Sequence, residues 1–336
     1  MSIRFIRFGI KCCIILSLLS GCDNKPQGNS NSTPHSGGDK KSYKIALIAK
    51  SQGNQVFQAA RVGAEDAAKD LSAKLGVQIT IDWRTPNEED AQKQAETIEQ
   101  LAVQGVDGIA ISCSDASTVT FAIDKAVDRG TQVMCFDSDA PASKRLCFFG
   151  VDDVQCGRRV LRETAKLLGD KGGKVAILAG NQTAPNLQAR VRGVREEAAK
   201  YPNIKIVDVY YHAETPQEAT AKVEEVQTVQ PDIAAWAMVG GWPLFTDSLL
   251  KWEPGKVKIV AVDALPEQLQ YVRKGIAEVL LAQQVYDWGY KSVEILMDKI
   301  HGKKDPPSKM VMSELTPVTK ENVEAFAKNW EKWLRK

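Results

Sequence analysis

Histidine is nearly absent from the 336 residues: only His35, His212 and His301, far apart along the chain. Cysteine is sparse as well, and none of the seven forms a CxxC pair or a zinc spacing. So few ligands, so widely scattered, give no metal centre. Phosphate-cradling glycine patterns are missing too. No GxGxxG follows the first strand-like run. The nearest approach to GxxxxGK[ST] is Gly169-Asp-Lys-Gly-Gly-Lys174. It precedes an apolar run instead of following one, and so reads as a turn. The GxSxG elbow of hydrolases is also absent. Asp137 and Asp139 lie two apart at a strand end and need not face one another, unlike the facing carboxylates of a glycosidase. The pattern therefore speaks against an enzyme and against any cofactor.

Long hydrophobic runs are lacking as well. The chain opens with Arg4, Arg7 and Lys11 around a short apolar stretch, Cys12 to Leu19. That stretch is too short to span a bilayer and reads as the core of a signal peptide. It closes on Leu19-Ser20-Gly21-Cys22, which resembles the lipobox of bacterial lipoproteins. The resemblance implies cleavage before Cys22, acylation of its thiol, and an exported, membrane-anchored lipoprotein in the periplasm or on the outer cell face. The plainer alternative is a signal peptide with a chance cysteine. Residues 22–336 carry 41 basic against 42 acidic residues, a net of about −1. A near-neutral surface argues against nucleic acid as a partner. No later run reaches membrane length, so the lipid on Cys22 is the expected anchor. Cys113, Cys135, Cys147 and Cys156 could pair in an oxidising compartment, with connectivity open, or serve as small buried fillers.

Residues 22–41 are rich in Asn, Ser, Gly and Pro with almost no apolar residue, the composition of a flexible tether. From Tyr43 a different pattern sets in and repeats. Short β-rich runs such as YKIALIA (43–49), GIAIS (108–112), KVAILA (174–179) and VKIVAV (257–262) alternate with stretches of helical spacing. About ten strands are expected, the last of them MVMSEL (310–315), with a final amphipathic helix over Thr319–Leu334. This alternation predicts parallel α/β sheets covered on both faces, and the number of strands favours two doubly wound lobes over one barrel.

Open α/β sheets hold ligands at the carboxyl ends of their strands. The residues falling there include Lys50, Asn54, Asp137, Gly240-Gly241-Trp242, Asp263 and Gln283. Carboxylates accept hydrogen bonds from hydroxyls, while amides and cations donate to oxygens. An indole face covers the C–H side of a sugar ring. Such a rim suits a polyhydroxylated small molecule.

Several segments together resemble the type I periplasmic sugar-binding proteins, with ribose-binding proteins the nearest type. They are Lys44-Ile-Ala-Leu-Ile with Asn54 and Phe57, Ala102-Val-Gln-Gly-Val-Asp-Gly-Ile-Ala-Ile111, Val133-Met-Cys-Phe-Asp137-Ser-Asp and Gly150-Val-Asp-Asp with Gly157. Gln188-Ala-Arg190-Val-Arg-Gly193, Val260-Ala-Val-Asp263 and Ala282-Gln283 complete the set. The resemblance implies two lobes joined by a three-strand hinge, closing on a monosaccharide or related small polyol and delivering it to an ABC permease. The implied division places 42–150 plus 284–312 in an N-terminal lobe and 151–283 plus 313–336 in a C-terminal lobe. It also implies ligand contacts at Asp137, Arg190, Asp263 and Gln283, and at Asn54 and Phe57 in the first loop. Ser138 stands where ribose binders carry arginine, and Val239-Gly240-Gly241-Trp242 replaces their Gln-Asn-Asp, which argues against ribose itself. Lys50 with Asp137-Ser138-Asp139 resembles the branch that binds rhamnose or a furanosyl signal. Plainer alternatives stand beside these. Lys50 can be solvated, Phe57 and Trp242 can be core, and Asp152 can simply cap a helix. The same fold also serves sensors that present the closed form to a chemoreceptor or histidine kinase.

Overall fold

The computed structural model describes residues 41–182 and 184–335. The expected signal peptide, Cys22 and nearly all of the tether lie outside them.

Eight segments build the first sheet and its cover. β1 (Ser42–Ile48), β2 (Gln78–Trp83), β3 (Gly108–Ile111), β4 (Gln132–Phe136) and β5 (Phe148–Gly150) are parallel, and α1 (Gln55–Leu75), α2 (Ala91–Val103) and α3 (Ala116–Asp128) connect them. A second unit repeats the plan. It holds β6 (Gly173–Ala179), β7 (Ile204–Tyr211), β8 (Ile233–Met238), β9 (Lys258–Val262) and β10 (Val279–Ala282), with α4 (Asp153–Leu168), α5 (Pro185–Ala198), α6 (Pro216–Val229) and the short α7 (Leu269–Arg273). The chain then adds α8 (Val285–Ile300), β11 (Met310–Met312), β12 (Thr316–Val318) and α9 (Val323–Trp333). The sheet orders are β11-β5-β4-β3-β1-β2 and β12-β10-β9-β8-β6-β7, so one winding is used twice.

Composition explains which strands lie where. The central strands GIAI, KIVAV and VLLA are continuous small or branched apolar runs, and nearly every residue in them is buried, as strands covered on both faces require. The outer strands QITIDW and IKIVDVYY mix polar residues with apolar ones, and both run along sheet edges. The expected two-lobed parallel α/β architecture is therefore what forms. The chain passes between the sheets three times: from β5 into α4, from β10 into α8, and from β11 into β12.

Two expectations need correction at the C-terminal end. Residues 310–315 do not make one strand. β11 joins the first sheet parallel to β5, and β12 joins the second antiparallel to β10, because the chain changes sheets at Ser313–Leu315. Pro317 is tolerated there because β12 is an edge strand. The last helix starts at Val323, not Thr319. Thr319 and Asn322 are spent on a turn in which the Asn322 side chain accepts from the Thr319 amide at 2.8 Å. After β8 the chain makes a pair of 3-10 turns, Trp242–Phe245 and Ser248–Lys251.

The helices start at the carboxyl ends of the strands, and their caps show why. Asn54, Asp90, Asp115, Asp152 and Thr215 each accept a hydrogen bond from a first-turn amide of α1, α2, α3, α4 and α6. Asp152 is thus a cap, its Oδ1 3.0 Å from the Gln155 amide. Cys113, Cys135, Cys147 and Cys156 are buried free thiols, with the Cys113 and Cys135 sulfurs 3.8 Å apart. They behave as fillers of the core.

Candidate functional site

The strand ends of both sheets face a cleft of about 2000 Å³. Lys50, Asn54, Phe57, Asp137, Arg190, Trp242, Asp263 and Gln283 all line it. Residues up to 233 apart in sequence, Lys50 and Gln283, thus meet on one surface.

On the first sheet, Asp137 leaves the end of β4 with φ 58°, in the left-handed region that a non-glycine residue enters only under constraint. Its amide donates to the Phe149 carbonyl at 3.1 Å, which fixes the turn. Its Oδ2 accepts from the Ser112 hydroxyl at 2.6 Å and lies 3.9 Å from the Lys50 ammonium. Lys50 therefore faces the carboxylate from the end of β1. Asn54 uses its Oδ1 as the cap of α1, 3.1 Å from the Val56 amide. Phe57 is 4% exposed, and its ring packs 6.2 Å from that of Trp288. It is both a core residue and part of the cleft wall. Asp139 does not join Asp137. It forms an ion pair with the buried Arg145, whose Nη2 is 2.6 Å from Asp139 Oδ2.

On the second sheet, Asp263 leaves the end of β9 with φ 77°, and its amide donates to the Leu281 carbonyl at 2.9 Å. Its Oδ1 accepts from Gln283 Nε2 at 2.8 Å. Gln283 in turn accepts from Arg190 at 3.4 Å. Arg190 is 4% exposed and also donates to Asp153 at 2.8 Å and to the Val239 carbonyl at 3.1 Å. Burial works against the charge on Arg190, yet the surrounding acidic groups, Asp153 and Asp263 among them, raise its pKa. Burial pushes the Asp263 carboxyl above the ordinary aspartate value. Arg190 and Gln283 oppose that shift, and the charge of Asp137 adds to it. Asp153 is raised by burial as well, against the pull of Arg190. The α4–α5 crossing holds this network in register. A Cβ on Gly157 would lie 1.8 Å from the Arg190 carbonyl oxygen, so only glycine lets the helices approach this closely.

Trp242 is half-buried on the cleft and meets His212 edge-to-face, with ring centroids 4.9 Å apart. His212 Nδ1 accepts from the Glu214 amide at 2.9 Å, and burial lowers the imidazole pKa to about 4. The ring is thus neutral at pH 7, with its proton on Nε2. Sequence reasoning missed His212, Trp288, Ser112 and Asp153. His212 and Trp288 lie within stretches that read only as strand end and helix, and Ser112 and Asp153 show their role only through what they touch. Asp153 did stand in the noted Gly150-Val-Asp-Asp segment, so that signal was available.

The arrangement offers acceptor-only carboxylates from both sheets, an arginine already fixed by its partners, amides and an indole. Its carboxylate oxygens can accept from hydroxyl donors.

A family model described as periplasmic binding protein domain matches residues 45–304. The ribose import binding protein of Bacillus subtilis (strain 168) is 27% identical over 297 residues, covering 86% of this chain and 91% of that protein. Among solved structures, an ABC transporter solute-binding protein from Burkholderia graminis C4D1M in complex with D-arabinose superimposes with a TM-score of 0.75. It is 28% identical and covers 84% of this chain and 97% of its own. The XylFII–LytSN complex gives a TM-score of 0.70 at 25% identity, covering 83% and 98%.

Proposed function

This chain belongs to the periplasmic binding protein family, among the ribose-binding-protein-like ABC solute-binding proteins, and from that premise we propose that it captures a monosaccharide or sugar-like polyol for import. The observation that carries the reading is the pair Asp137 and Asp263. Two carboxylates at matching strand ends of opposite sheets present acceptors to a guest between them. Hydroxyls satisfy both, and a guest lacking one leaves a buried charge unmet. Arg190 and Gln283 set the orientation of Asp263, Lys50 balances Asp137, and Trp242 covers an apolar ring face. Capture proceeds by hinge closure: segments 42–150 plus 284–312 move against 151–283 plus 313–336, and the closed form is what an ABC permease accepts. Acylation at Cys22 would hold the protein at the membrane after export. The relatives named above are binding proteins, and no bond is broken in this scheme.

The test is a thermal-shift screen against pentoses, hexoses, deoxyhexoses and polyols. A bound sugar raises the melting temperature by mass action. Flat responses to every carbohydrate would end the proposal. A second reading has one observation in its favour, the likeness to XylFII in its complex with LytSN. In that reading the closed form is presented to a sensor partner instead of a permease. Sugar-dependent pull-down of a permease against that of a receptor ectodomain separates the two.

A further inference from the structure

Trp288 stands on the first turn of α8, 1% exposed, among the residues that line the cleft and packed against Phe136 at the end of β4. Its Nε1–H is buried and has no hydrogen-bond acceptor among the described residues. An indole nitrogen is donor-only, so nothing but an acceptor can satisfy it, and a buried donor left alone is costly. Neighbouring rings do not fill that role. Phe57 and Phe136 lie 6.2 and 6.3 Å away, tilted 35° and 39°, far from the edge-on geometry that offers a π face to an N–H. His212 makes the contrast: its Nε2–H is equally without an oxygen or nitrogen acceptor, but it has the edge-to-face indole of Trp242 beside it. Trp288 has no such substitute, yet it lines the cleft.

We propose that Trp288 is a specificity residue that donates its Nε1–H to a ligand oxygen in the half of the cleft occupied by Asp137. This rests on the sugar-binding reading and deepens it. Phe136, packed against Trp288, is followed directly by Asp137. An acceptor-only carboxylate and a donor-only indole thus serve the same end of β4. A hydroxyl answers both, because it donates and accepts at once. A protonated amine only donates, and a deoxy position does neither. The ligand class is thereby narrowed to sugars with a hydroxyl at the position that enters this corner.

The experiment is calorimetric titration of the wild-type protein and Trp288→Phe with the best sugar from the screen and its monodeoxy analogues. Phenylalanine keeps an aromatic ring against Phe57 and Phe136 but removes the donor. Trp288→Phe is expected to bind the parent sugar roughly tenfold or more weakly. One deoxy analogue should lose markedly less affinity in the variant than in wild type, since the partner is already gone. A second readout needs no variant fold. In the wild-type indole ¹H–¹⁵N spectrum, the Trp288 resonance should shift downfield on sugar addition. Unchanged affinity in a folded Trp288→Phe, or an indole resonance unmoved by saturating sugar, overturns the proposal. If wild type binds no carbohydrate at all, it is the sugar-binding reading that has failed.

Discussion

Asp137 and Asp263 occupy the same position in two copies of one winding. Each follows the fourth strand in its half of the chain, β4 and β9, and those strands hold equivalent places in the two sheet orders. Each adopts positive φ, 58° and 77°, and each donates its amide to a carbonyl on the neighbouring strand. The duplicated fold thus aims one strained carboxylate into the cleft from either side. Strain held at such positions marks a demand on the side chain that the backbone alone would not choose.

That relationship separates stability from binding. Asp137→Ala and Asp263→Ala should each weaken sugar affinity by ~2 kcal/mol or more in calorimetric titration. Asp→Gly at either position should bind as poorly as the alanine variant. Glycine relieves the left-handed backbone, however, so its unliganded form should be more stable than the alanine form by about 1 kcal/mol. Denaturant melts measure the difference. Two alanine variants with wild-type affinity would remove these carboxylates from the site.

Arg190 is the second test, because it is a buried cation with a full set of partners. Arg190→Met leaves Asp153 and Asp263 without their counter-charge and should cost about 3–5 kcal/mol of stability. Gly157→Ala disturbs the same network from behind, since the added carbon falls on the Arg190 carbonyl. Its loss should appear in affinity as well as in the melting temperature. A Gly157→Ala protein with unaltered binding would show that Arg190 is not held in place by this crossing.

The pH dependence follows from Asp263. Burial raises its carboxyl above the ordinary 3.8 in the folded, unliganded protein. For the free protein the sign is unfavourable to ionisation: this group's contribution to stability is full below 3.8 and is lost as pH rises through the raised value. Ligand hydroxyls donate to the ionised form, so binding has the opposite sign. Affinity should be full above the raised pKa and fall by up to about tenfold per unit as pH drops through it. Titrations from pH 7 downward check this, and Asp263→Asn should flatten the profile.

Much of this was legible in the sequence, for a physical reason. Buried parallel strands need uninterrupted apolar runs, so their number and order show, and the residues just beyond them mark the cleft. All eight proposed ligand residues line it. What stayed hidden depends on contacts that the pattern does not carry. That Asp139 is taken by Arg145 is settled by the turn between β4 and β5, not by its spacing from Asp137. The orphan N–H of Trp288 is invisible because α8 reads as an ordinary amphipathic helix. The sheet change at 313–315 was missed because MVMSEL has the look of one strand.

The C-terminal helix lies beyond the family match at 45–304 and yet reaches the site. Trp330 is buried, and its Nε1 donates to the Ala264 carbonyl at 2.8 Å, one residue from Asp263. Arg273 and Glu324 pair the same helix to α7 at 2.7 Å. At its far end Trp333 stacks on Tyr286 of α8, and Arg335 meets Glu65 and Asp66 of α1. One helix therefore touches elements packed on both sheets. Trp330→Ala should destabilise the protein by about 3–5 kcal/mol through lost packing. Trp330→Phe retains most of that packing but leaves the Ala264 carbonyl unmet, at about 1–3 kcal/mol. Because that carbonyl abuts the positive-φ turn of Asp263, Trp330→Phe should also weaken sugar binding, whereas Arg273→Ala, on the exposed pair, should leave it unchanged. Equal binding by both variants would mean that α9 braces the fold without setting the geometry of Asp263.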